Sequence, residues 1–243
     1  MTTDLQAFLT AARDASDIVF LGGAGVSTES GIPDFRSASG LYSGSGIGGI
    51  KPEQLLHIDY LRREPEAFYR YYRHNMLYPD AQSNRAHRAL AALEQAGKVR
   101  AVVTQNIDGL HQAAGSKCVL ELHGSVLRNY CLSCGRKYGL GFVLSGEGAP
   151  KCLSCGGMVR PDVTLYGEQL DGDVLWKAAE AVRACDLLIA GGTSLTVYPA
   201  AGLPQYRNKG ALFAIANLSE TPLDGTAGYV LRIPVGEVLE GMV

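Results

Sequence analysis

The sequence predicts an α/β fold in which a mainly parallel sheet carries helices on both faces, with a small cysteine-rich unit added. Two observations support this prediction. Short apolar runs alternate with segments of helical periodicity along most of the chain, which is typical of βαβ units. Two Cys-x-x-Cys pairs also occur within residues 126–160, at a spacing typical of a zinc-ribbon domain.

The predicted elements follow one another in regular alternation. Apolar residues three or four positions apart predict helical segments over residues 4–15, residues 53–78, Ser83–Ala96 and Asp171–Ala184. Short apolar runs predict strands at Ile18–Leu21, Ala101–Thr104, Val119–Leu122, Leu187–Ala190 and Ala211–Ala216. Parallel sheets bind ligands at the carboxyl ends of their strands. We therefore expect the functional residues directly after these strands.

The composition is that of an ordinary globular protein. The chain has 243 residues, of which 47% are hydrophobic and 19% charged, so it can bury one large core with a small satellite. A net charge of −2 gives no electrostatic indication of nucleic-acid binding. The sequence contains no apolar run long enough to predict a membrane helix, and Met1–Asp4 does not begin a secretory signal. We therefore expect a cytoplasmic protein with no membrane partner, in an oligomeric state that the sequence does not indicate.

Glycine-rich loops follow two of the predicted strands. Gly22–Thr28 comes directly after the first strand, and Gly191–Leu195 follows the fourth. Glycines in such loops let the backbone approach a pyrophosphate, whose oxygens accept hydrogen bonds from free N–H groups. The dinucleotide fingerprint requires a third glycine or alanine where this chain has Thr28, so the first loop alone fits a tight turn equally well. A second loop of this kind is what the other half of a dinucleotide requires.

Polar side chains follow the same strands. The segment Glu29–Arg36 ends in an acid, an aromatic ring and a base, which fits either a ligand pocket or a surface ion pair between Asp34 and Arg36. Thr104–His111 brings amide and carboxylate groups to the end of the second strand, where a solvated turn is the alternative. His123 comes directly after the third strand, and histidine can act as a general base near neutral pH.

Four of the six cysteines form the two Cys-x-x-Cys pairs. Cys131 and Cys134 are separated by 17 residues from Cys152 and Cys155. This spacing fits a four-cysteine zinc site, in which four thiolates close the tetrahedron and the metal is structural rather than catalytic. A thioredoxin-like redox pair is the alternative, which two matched pairs disfavour. Cys185 lies in an apolar sequence, where we expect a buried and inert thiol.

The motifs have the order and spacing of one protein family. The segments that carry the resemblance are Gly23–Ser27, Gly31–Arg36, Thr104–Asp108, His123-Gly124 and the two cysteine pairs. Together they resemble the sirtuins from about residue 15 to residue 217. The resemblance implies a Rossmann-like NAD-binding domain over residues 1–125 and 161–243, a zinc-ribbon domain over residues 126–160, and a helical insert over about residues 37–80.

The resemblance also implies site residues, position by position. The NAD co-substrate would be held by Gly23, Ala24, Gly25, Thr28, Asp34, Phe35, Arg36, Gln105, Asn106, Ile107, Asp108, Gly192, Thr193, Ser194, Asn217 and Val235. His123 would be the general base. A structural Zn2+ would be bound by Cys131, Cys134, Cys152 and Cys155. An acyl-lysine peptide would pair as an added strand with Thr164, Tyr166, Gly167, Glu168, Leu195, Thr196 and Val197.

The activity that the resemblance implies is NAD-dependent deacylation of lysine. The acyl oxygen displaces nicotinamide at the ribose carbon and gives an imidate. His123 then removes a proton from the ribose hydroxyls, the 2′-oxygen attacks the imidate carbon, and water finally releases lysine and an acylated ADP-ribose. NAD supplies the reactive bond, so the protein mainly positions the reactants.

The acyl preference is predicted from one departure from the family. Sirtuins that prefer succinyl or malonyl groups carry a Tyr-x-x-Arg pair. This chain keeps Tyr69 but has Tyr72 at the arginine position, with Arg70 and Arg73 on either side. We therefore expect acetyl and similar uncharged groups to be preferred.

Two other functions fit parts of the pattern. NAD hydrolysis or ADP-ribosyl transfer would use the same site without an acyl peptide. A zinc-ribbon interaction module with a vestigial nucleotide fold would lack His123 or Asn106, or would have a basic ribbon. Both residues are present, and the bases between the first and last cysteine are Arg136, Lys137 and Lys151. The sequence thus favours a deacetylase, whose protein substrate it does not identify.

Overall fold

The large sheet contains six strands, and every neighbouring pair is parallel. The computed structural model of the protein describes residues 3–35, 40–41 and 49–243. The strands, in chain order, are β1 (Ile18–Gly22), β2 (Val99–Thr104), β3 (Val119–Glu121), β4 (Gly124–Cys131), β5 (Lys137–Gly139), β6 (Val159–Val163), β7 (Leu187–Gly191), β8 (Leu212–Ala216) and β9 (Tyr229–Leu231). Six of them form the sheet in the order β3-β2-β1-β7-β8-β9.

This order defines a Rossmann-like sheet. Counted within the sheet, the strands have the order 3-2-1-4-5-6. The first three strands are therefore added on one side of β1, and the last three on its other side, beginning with β7. Ile18 lies opposite Leu187 and Gly22 opposite Gly191, so the two central strands end at the same level. Ligands bind at such a switch point in open α/β sheets. The predicted fold class is therefore confirmed.

The helices precede, separate or follow the strands of the large sheet, or lie in the inserts. In chain order they are α1 (Thr3–Ala12), α2 (Pro52–Leu55), α3 (Ile58–Arg63), α4 (Pro65–Asn75), α5 (Arg85–Gln95), α6 (Leu110–Ala114), α7 (Leu140–Leu144), α8 (Gly172–Ala184) and α9 (Val235–Glu240). Short 3₁₀ helices occur at Ala24–Val26, Thr28–Ser30, Ala200–Tyr206 and Asp224–Thr226. Within the described ranges, none of these helices has the length and apolar character needed to cross a membrane.

Helices cover the large sheet on both faces. α1, α5 and α9 pack on one face, and α8 with the 3₁₀ helix Ala200–Tyr206 packs on the other. Successive residues of a strand point to opposite faces, so Phe20 lies in the first core and Leu21 in the second. Burial on both faces explains why the central strands are continuous apolar runs rather than alternating ones.

A second, antiparallel sheet has the order β5-β4-β6. The four cysteines of the two pairs lie at the end of β4 and in the segments between the strands of this sheet. The sheet shares a core with the helical segment of residues 52–75. Val126 and Val163 from this sheet lie in one cluster with Leu55 and Phe68 from the helices. The sheet extends from Gly124 to Val163, slightly beyond the predicted ribbon of residues 126–160. The division into domains stays a prediction.

Helix α4 is fastened to this second sheet and its loops by polar contacts. The guanidinium of Arg73 donates to three carbonyl oxygens, those of Val143 at 2.7 Å, Glu147 at 2.9 Å and Gly148 at 2.6 Å. The Tyr69 hydroxyl donates to the carbonyl of Val159 at 2.5 Å. Helix α4 and the cysteine-bearing sheet therefore hold each other in place.

Most predicted elements are confirmed, with ends shifted by one to three residues, but three details differ. The helical segment of residues 53–78 is broken into α2, α3 and α4. Pro65 accounts for the second break, because it starts α4 at a position where its missing N–H costs nothing. Asn84, not Ser83, caps α5: the Asn84 side chain accepts from the helix, while the Ser83 hydroxyl donates to the carbonyl of Leu110. The three strands of the second sheet and the short elements α6, α7, β9 and α9 were not predicted.

Two histidines are buried beneath the carboxyl ends of the strands. The rings of His87 and His111 pack edge to face with their centroids 4.7 Å apart. His87 Nδ1 accepts from the N–H of Asn84, whereas His87 Nε2 and both ring nitrogens of His111 have no hydrogen-bond partner among the described residues. Burial lowers the pKa of His87 to about 4 and that of His111 to about 3.

We expect acid to destabilise the protein through these two histidines. An unfolded histidine titrates near 6.5, so between about pH 6.5 and pH 3 the unfolded chain binds more protons than the folded one, and stability falls as the pH falls. His111→Phe keeps an aromatic ring but removes one of these groups, and should make the melting temperature depend less on pH over this window. Thermal melts across the window measure this, with exposed His74→Phe as the control. An unchanged slope in His111→Phe would contradict the prediction.

Candidate active site and zinc centre

The two glycine-rich loops meet at the carboxyl ends of β1 and β7. The N–H of Gly25 donates to the carbonyl of Gly192 at 2.8 Å, and the N–H of Gly23 donates to that of Gly191 at 3.2 Å. A Cβ atom on Gly25 would lie 2.8 Å from Gly192 Cα, and one on Gly192 would lie 2.5 Å from the nitrogen of Val26. Gly192 also has a φ of +59°, which favours glycine. Two backbones can approach so closely only because side chains are absent, and such loops suit a pyrophosphate.

A chain of hydrogen-bonded side chains joins the first loop to the end of β2. The Ser27 hydroxyl donates to Asp108 Oδ2 at 2.7 Å and accepts from the Asn106 side-chain amide at 3.1 Å. Asp108 Oδ1 accepts from the N–H of Leu110 at 2.9 Å. Ser27 is only 1% exposed and was not among the predicted site residues. Its place in the first loop was the signal available in the sequence.

Gln105 connects three predicted parts of the site. Its side-chain amide donates to the Thr193 hydroxyl at 2.9 Å, in the second glycine loop. Its backbone N–H donates to the carbonyl of Gly22 at 3.0 Å, at the end of β1. Its carbonyl oxygen lies 2.9 Å from His123 Nδ1. One residue at the end of β2 thus links both glycine loops to the predicted base.

His123 is held in a defined tautomer. A carbonyl oxygen only accepts hydrogen bonds, so the Nδ1 atom that faces Gln105 must carry the hydrogen. The Nε2 atom then keeps its lone pair and is the basic nitrogen of the ring. Burial lowers the pKa of His123, although the hydrogen bond to Gln105 opposes this shift. The imidazole is therefore neutral near pH 7, as a general base must be.

The remaining residues of the predicted nicotinamide and phosphate region lie around these two loops. The Thr28 hydroxyl donates to the carbonyl of Gly25 at 3.0 Å. The carbonyl of Ile107 accepts from the N–H of Val126 at 2.9 Å, which ties the end of β2 to β4. Asp34 and Phe35 are half-buried. The predicted contact Arg36 lies outside the described residues.

The residues predicted to hold the adenosine half lie farther along the same edge of the large sheet. The Ser194 hydroxyl is 2.8 Å from that of Thr196. Asn217 follows β8, and its side-chain amide donates to the carbonyl of Ser219 at 2.8 Å. Val235 begins α9 and is 7% exposed, with its side chain packed over Gly191. Val235 therefore lies beneath the second loop rather than on an open surface.

The first predicted substrate segment, Thr164–Glu168, has much of its backbone already paired. The N–H of Thr164 donates to the carbonyl of His123 at 3.0 Å, which brings this segment next to the predicted base. Tyr166 pairs on one side with the stretch that precedes α3: its N–H donates to Leu56, and its carbonyl accepts from Ile58. Gly167, which follows Tyr166, is exposed.

The second predicted substrate segment, Leu195–Val197, leaves the second glycine loop. Leu195 is 3% exposed and has a φ of +52°, a left-handed conformation that is uncommon for a residue with a large side chain. Its N–H donates to the Thr193 hydroxyl at 3.3 Å. Such local strain persists where the surrounding structure enforces it, often at binding sites.

The four predicted zinc ligands form a tight cluster. Their sulfur atoms all lie within 4.8 Å of one another, with Cys131 and Cys155 3.5 Å apart and Cys134 and Cys152 3.6 Å apart. A tetrahedron with Zn–S bonds of about 2.3 Å has edges of about 3.8 Å, whereas the sulfurs of a disulfide are separated by about 2.05 Å. The cluster therefore fits a zinc ion and not a redox pair.

Hydrogen bonds around the cluster favour the thiolate form of Cys152. The N–H of Ser133 points at Cys131 Sγ and that of Ser154 points at Cys152 Sγ, each at 3.4 Å, so the two pairs have the same local geometry. The Tyr138 hydroxyl donates to Cys152 Sγ at 3.1 Å, which lowers the pKa of this thiol to about 6. Donors to the sulfur atoms of a metal site orient and stabilise the ligands.

The fold and site define a class: a Rossmann-like nucleotide-binding protein that carries a four-cysteine zinc-ribbon centre. Comparison with known families identifies it further, because residues 23–199 match the Sir2 family. The chain belongs to this family, which confirms the resemblance to the sirtuins.

Similar proteins cover nearly the whole chain. An NAD-dependent protein deacetylase of Clostridium perfringens is 52% identical over 227 residues, which are 93% of each chain. One of Clostridium acetobutylicum is 49% identical over 231 residues, which are 95% of this chain and 94% of that protein. The deacetylase of the archaeon Saccharolobus solfataricus is 46% identical and covers 88% of this chain and 85% of its own.

Solved structures of Sir2 proteins have the same fold. One, described under the mechanism and regulation of Sir2 enzymes, superposes with a TM-score of 0.89 at 38% identity and covers 100% of this chain and 97% of its own. Another contains a Sir2 protein with a p53 peptide and NAD+, and has a TM-score of 0.84 at 39% identity over 98% of this chain and 96% of its own.

We expect one zinc ion per chain, and Cys131→Ala should remove it. Zinc contributes on the order of 10 kcal/mol in small structural sites, so the variant should also melt at a lower temperature as the second sheet loses its support. Elemental analysis beside a melting curve tests this, with Cys118→Ala as the matched control, since Cys118 is exposed and lies outside the cluster. Freshly purified, reduced protein without zinc would refute the prediction.

Proposed function

We propose that this protein is an NAD-dependent protein-lysine deacetylase, which transfers the acyl group from lysine to ADP-ribose and releases nicotinamide. The observation that carries the proposal is the position of Gln105, which joins both glycine loops to His123. The similar proteins named above are NAD-dependent protein deacetylases at about half identity. The cytoplasmic location and the absence of nucleic-acid partners stay predictions from the sequence.

The proposed NAD site uses the switch point of the large sheet. The backbones of Gly23–Gly25 and the Thr28 hydroxyl would meet the phosphates, and Thr193, Ser194 and Asn217 would hold the adenosine half. The close approach of the two loops supports this assignment, since a side chain at Gly25 or Gly192 would separate them. Asn106 and Asp108 would shape the nicotinamide pocket, and their bonds to Ser27 fix both side chains before NAD binds.

His123 would be the general base on the ribose. Its Nε2 lone pair is free because Nδ1 is bonded to the carbonyl of Gln105, and its lowered pKa keeps the ring neutral near pH 7. It would remove a proton from a ribose hydroxyl after nicotinamide has left. The zinc ion would have no part in the chemistry, because four thiolates occupy its whole coordination shell.

We expect His123→Ala to lower the rate of deacetylation by about 10² to 10⁴, the usual contribution of a general base. Exchange of labelled nicotinamide into NAD in the presence of acetyl-lysine peptide should survive, because the first step precedes proton removal. The deacetylation rate of the wild type should fall only at a pH below the pKa of an ordinary histidine, since the pKa of His123 is lowered. The measurement pairs nicotinamide exchange with deacetylation, and His74→Ala, an exposed histidine on α4, is the control.

Three outcomes separate the alternatives. A folded His123→Ala variant that deacetylates at the wild-type rate would remove His123 from the mechanism. Loss of both steps together with a lower melting temperature would indicate a packing role. Nicotinamide release by the wild type without any acyl peptide would support NAD hydrolysis instead of deacetylation.

The proposed acyl preference is for acetyl and other uncharged groups. Tyr72 stands at the position where an anion-binding arginine is expected, and it is 1% exposed and stacked on Phe68. The guanidinium of Arg73, which flanks Tyr72, donates to the three backbone carbonyls described above. Arg70 is exposed on the same helix. Among these helix residues, none offers a buried and unpaired positive charge to the carboxylate of a succinyl group.

Deacetylation should therefore exceed desuccinylation, and Tyr72→Arg should shift the ratio toward succinyl by about tenfold, the value of one charge-assisted hydrogen bond. Tyr72→Phe is the matched control: the Tyr72 hydroxyl has no hydrogen-bond partner among the described residues, so its removal should leave both the fold and the ratio unchanged. Kinetics with acetyl- and succinyl-lysine peptides measure the ratio. A wild type that removes succinyl faster would overturn the preference.

A further inference from the structure

The substrate segment ends in a tight turn from Leu165 to Glu168. The N–H of Glu168 donates to the carbonyl of Leu165 at 3.1 Å, and Gly167 has a φ of +86°. A Cβ atom on Gly167 would lie 2.6 Å from His57 Nε2, so the turn is pressed against the stretch that precedes α3. Tyr166 is also exposed but already pairs with that stretch, so Gly167 is the exposed position that remains for a new strand.

A buried arginine lies beneath this turn. Arg160, on β6, is 6% exposed, and all three nitrogen atoms of its guanidinium donate hydrogen bonds. Two go to the carboxylate of Glu168 at 2.6 and 2.8 Å, and the others go to the carbonyls of Pro161 at 3.1 Å and Val163 at 2.8 Å. This paired geometry is the strongest and most directional that a carboxylate and an arginine form. Arg160 thus fixes the carboxylate of Glu168 relative to β6.

The Glu168 carboxylate in turn fixes the turn. Its Oε2 atom also accepts from the N–H of Leu165 at 2.9 Å, so the side chain bridges the first residue of the turn and Arg160. Burial alone would raise the pKa of Glu168, but hydrogen bonds from Arg160 and Leu165 outweigh it and lower the pKa. Both oxygens are therefore occupied inside the protein, which leaves the side chain little capacity to contact a peptide.

We propose that Arg160 is a positioning residue for the substrate: with Glu168 it holds the Leu165–Glu168 turn in the shape that pairs with the peptide backbone. This inference rests on the proposed deacetylase function. It assigns Glu168 an indirect role, whereas the sequence resemblance implied direct contact. Rigid binding edges lower the entropic cost of adding a strand, so the effect of losing the pair falls on peptide binding and not on NAD.

The test uses Glu168→Gln, which keeps the size of the side chain, and Arg160→Lys, which keeps the charge but not the paired geometry. Arg128→Lys is the matched control. Arg128 lies on the neighbouring strand β4 and also pairs with two carboxylates, those of Glu121 and Asp162. Among the described residues, its side chain makes no bond to the turn. Each protein is assayed for KM and kcat with three acetyl-lysine peptides whose flanking residues are acidic, neutral or basic. NAD binding, binding of a labelled peptide and amide exchange at Leu165 and Glu168 are measured beside them.

We expect Glu168→Gln to raise the peptide KM and Kd by about tenfold or more, and equally for all three peptides, with NAD binding within about twofold of wild type. Arg160→Lys should give a smaller rise, and both variants should lose protection of the two turn amides while Arg128→Lys does not. An effect confined to one peptide charge would indicate direct contact by Glu168 and overturn the proposal. An unchanged peptide Kd in a folded variant, or equal losses of NAD and peptide binding, would overturn it as well.

Peptide binding separates this inference from the proposed function. A wild type that binds acetyl-lysine peptide and NAD but releases no deacetylated product would refute the deacetylase. The positioning role would still be decided in that case, because the labelled-peptide Kd and the amide exchange do not depend on turnover.

Discussion

The contact between two glycine backbones at the centre of the large sheet is the constraint on which the rest of the site depends. Gly25 and Gly192 meet because β1 and β7 are paired in register up to their last residues. The strand order changes direction at β1: β2 and β3 are added on one side of it, and β7 to β9 on the other. This switch point opens a crevice there. A side chain at either glycine would push the loops apart and would also break the bonds that Gln105 makes to both.

His123 lies where the chain passes from one sheet to the other. β3 ends at Glu121 and β4 begins at Gly124, so only Leu122 and His123 connect the parallel sheet to the antiparallel one. The carbonyl of His123 accepts from Thr164 as the chain returns along the second sheet, while its ring faces Gln105 in the first. A base at this junction can face a nucleotide held by one sheet and a peptide held by the other, without any movement of the strands.

The sequence predicted the features that depend on a local residue pattern. It missed the residues whose partners meet them only in the folded chain. Apolar periodicity located the strands of the large sheet up to β8, and cysteine spacing located the metal cluster. Both signals can be recognised from residue types and their spacing along the chain. Ser27 was missed because its partner Asp108 lies 81 residues further along the chain. Arg160 was missed although Glu168 is only eight residues away, because the two side chains meet only when the Leu165–Glu168 turn has formed. The site residues themselves were found by family resemblance, and their roles stay proposals.

A zinc ion bound by the four cysteines would support the proposed peptide side of the site through β6, without taking part in the chemistry. Val159 at the start of this strand packs against Cys131 and Cys152, and its carbonyl accepts from Tyr69. The next residue is Arg160, so the strand that begins at the metal cluster carries the guanidinium beneath the peptide edge. The proposed NAD side depends on other contacts, because its loops are held by β1, β7, Gln105 and the bonds of Ser27 to Asn106 and Asp108. Disorder of the zinc unit should thus reach the peptide edge before it reaches the nucleotide loops.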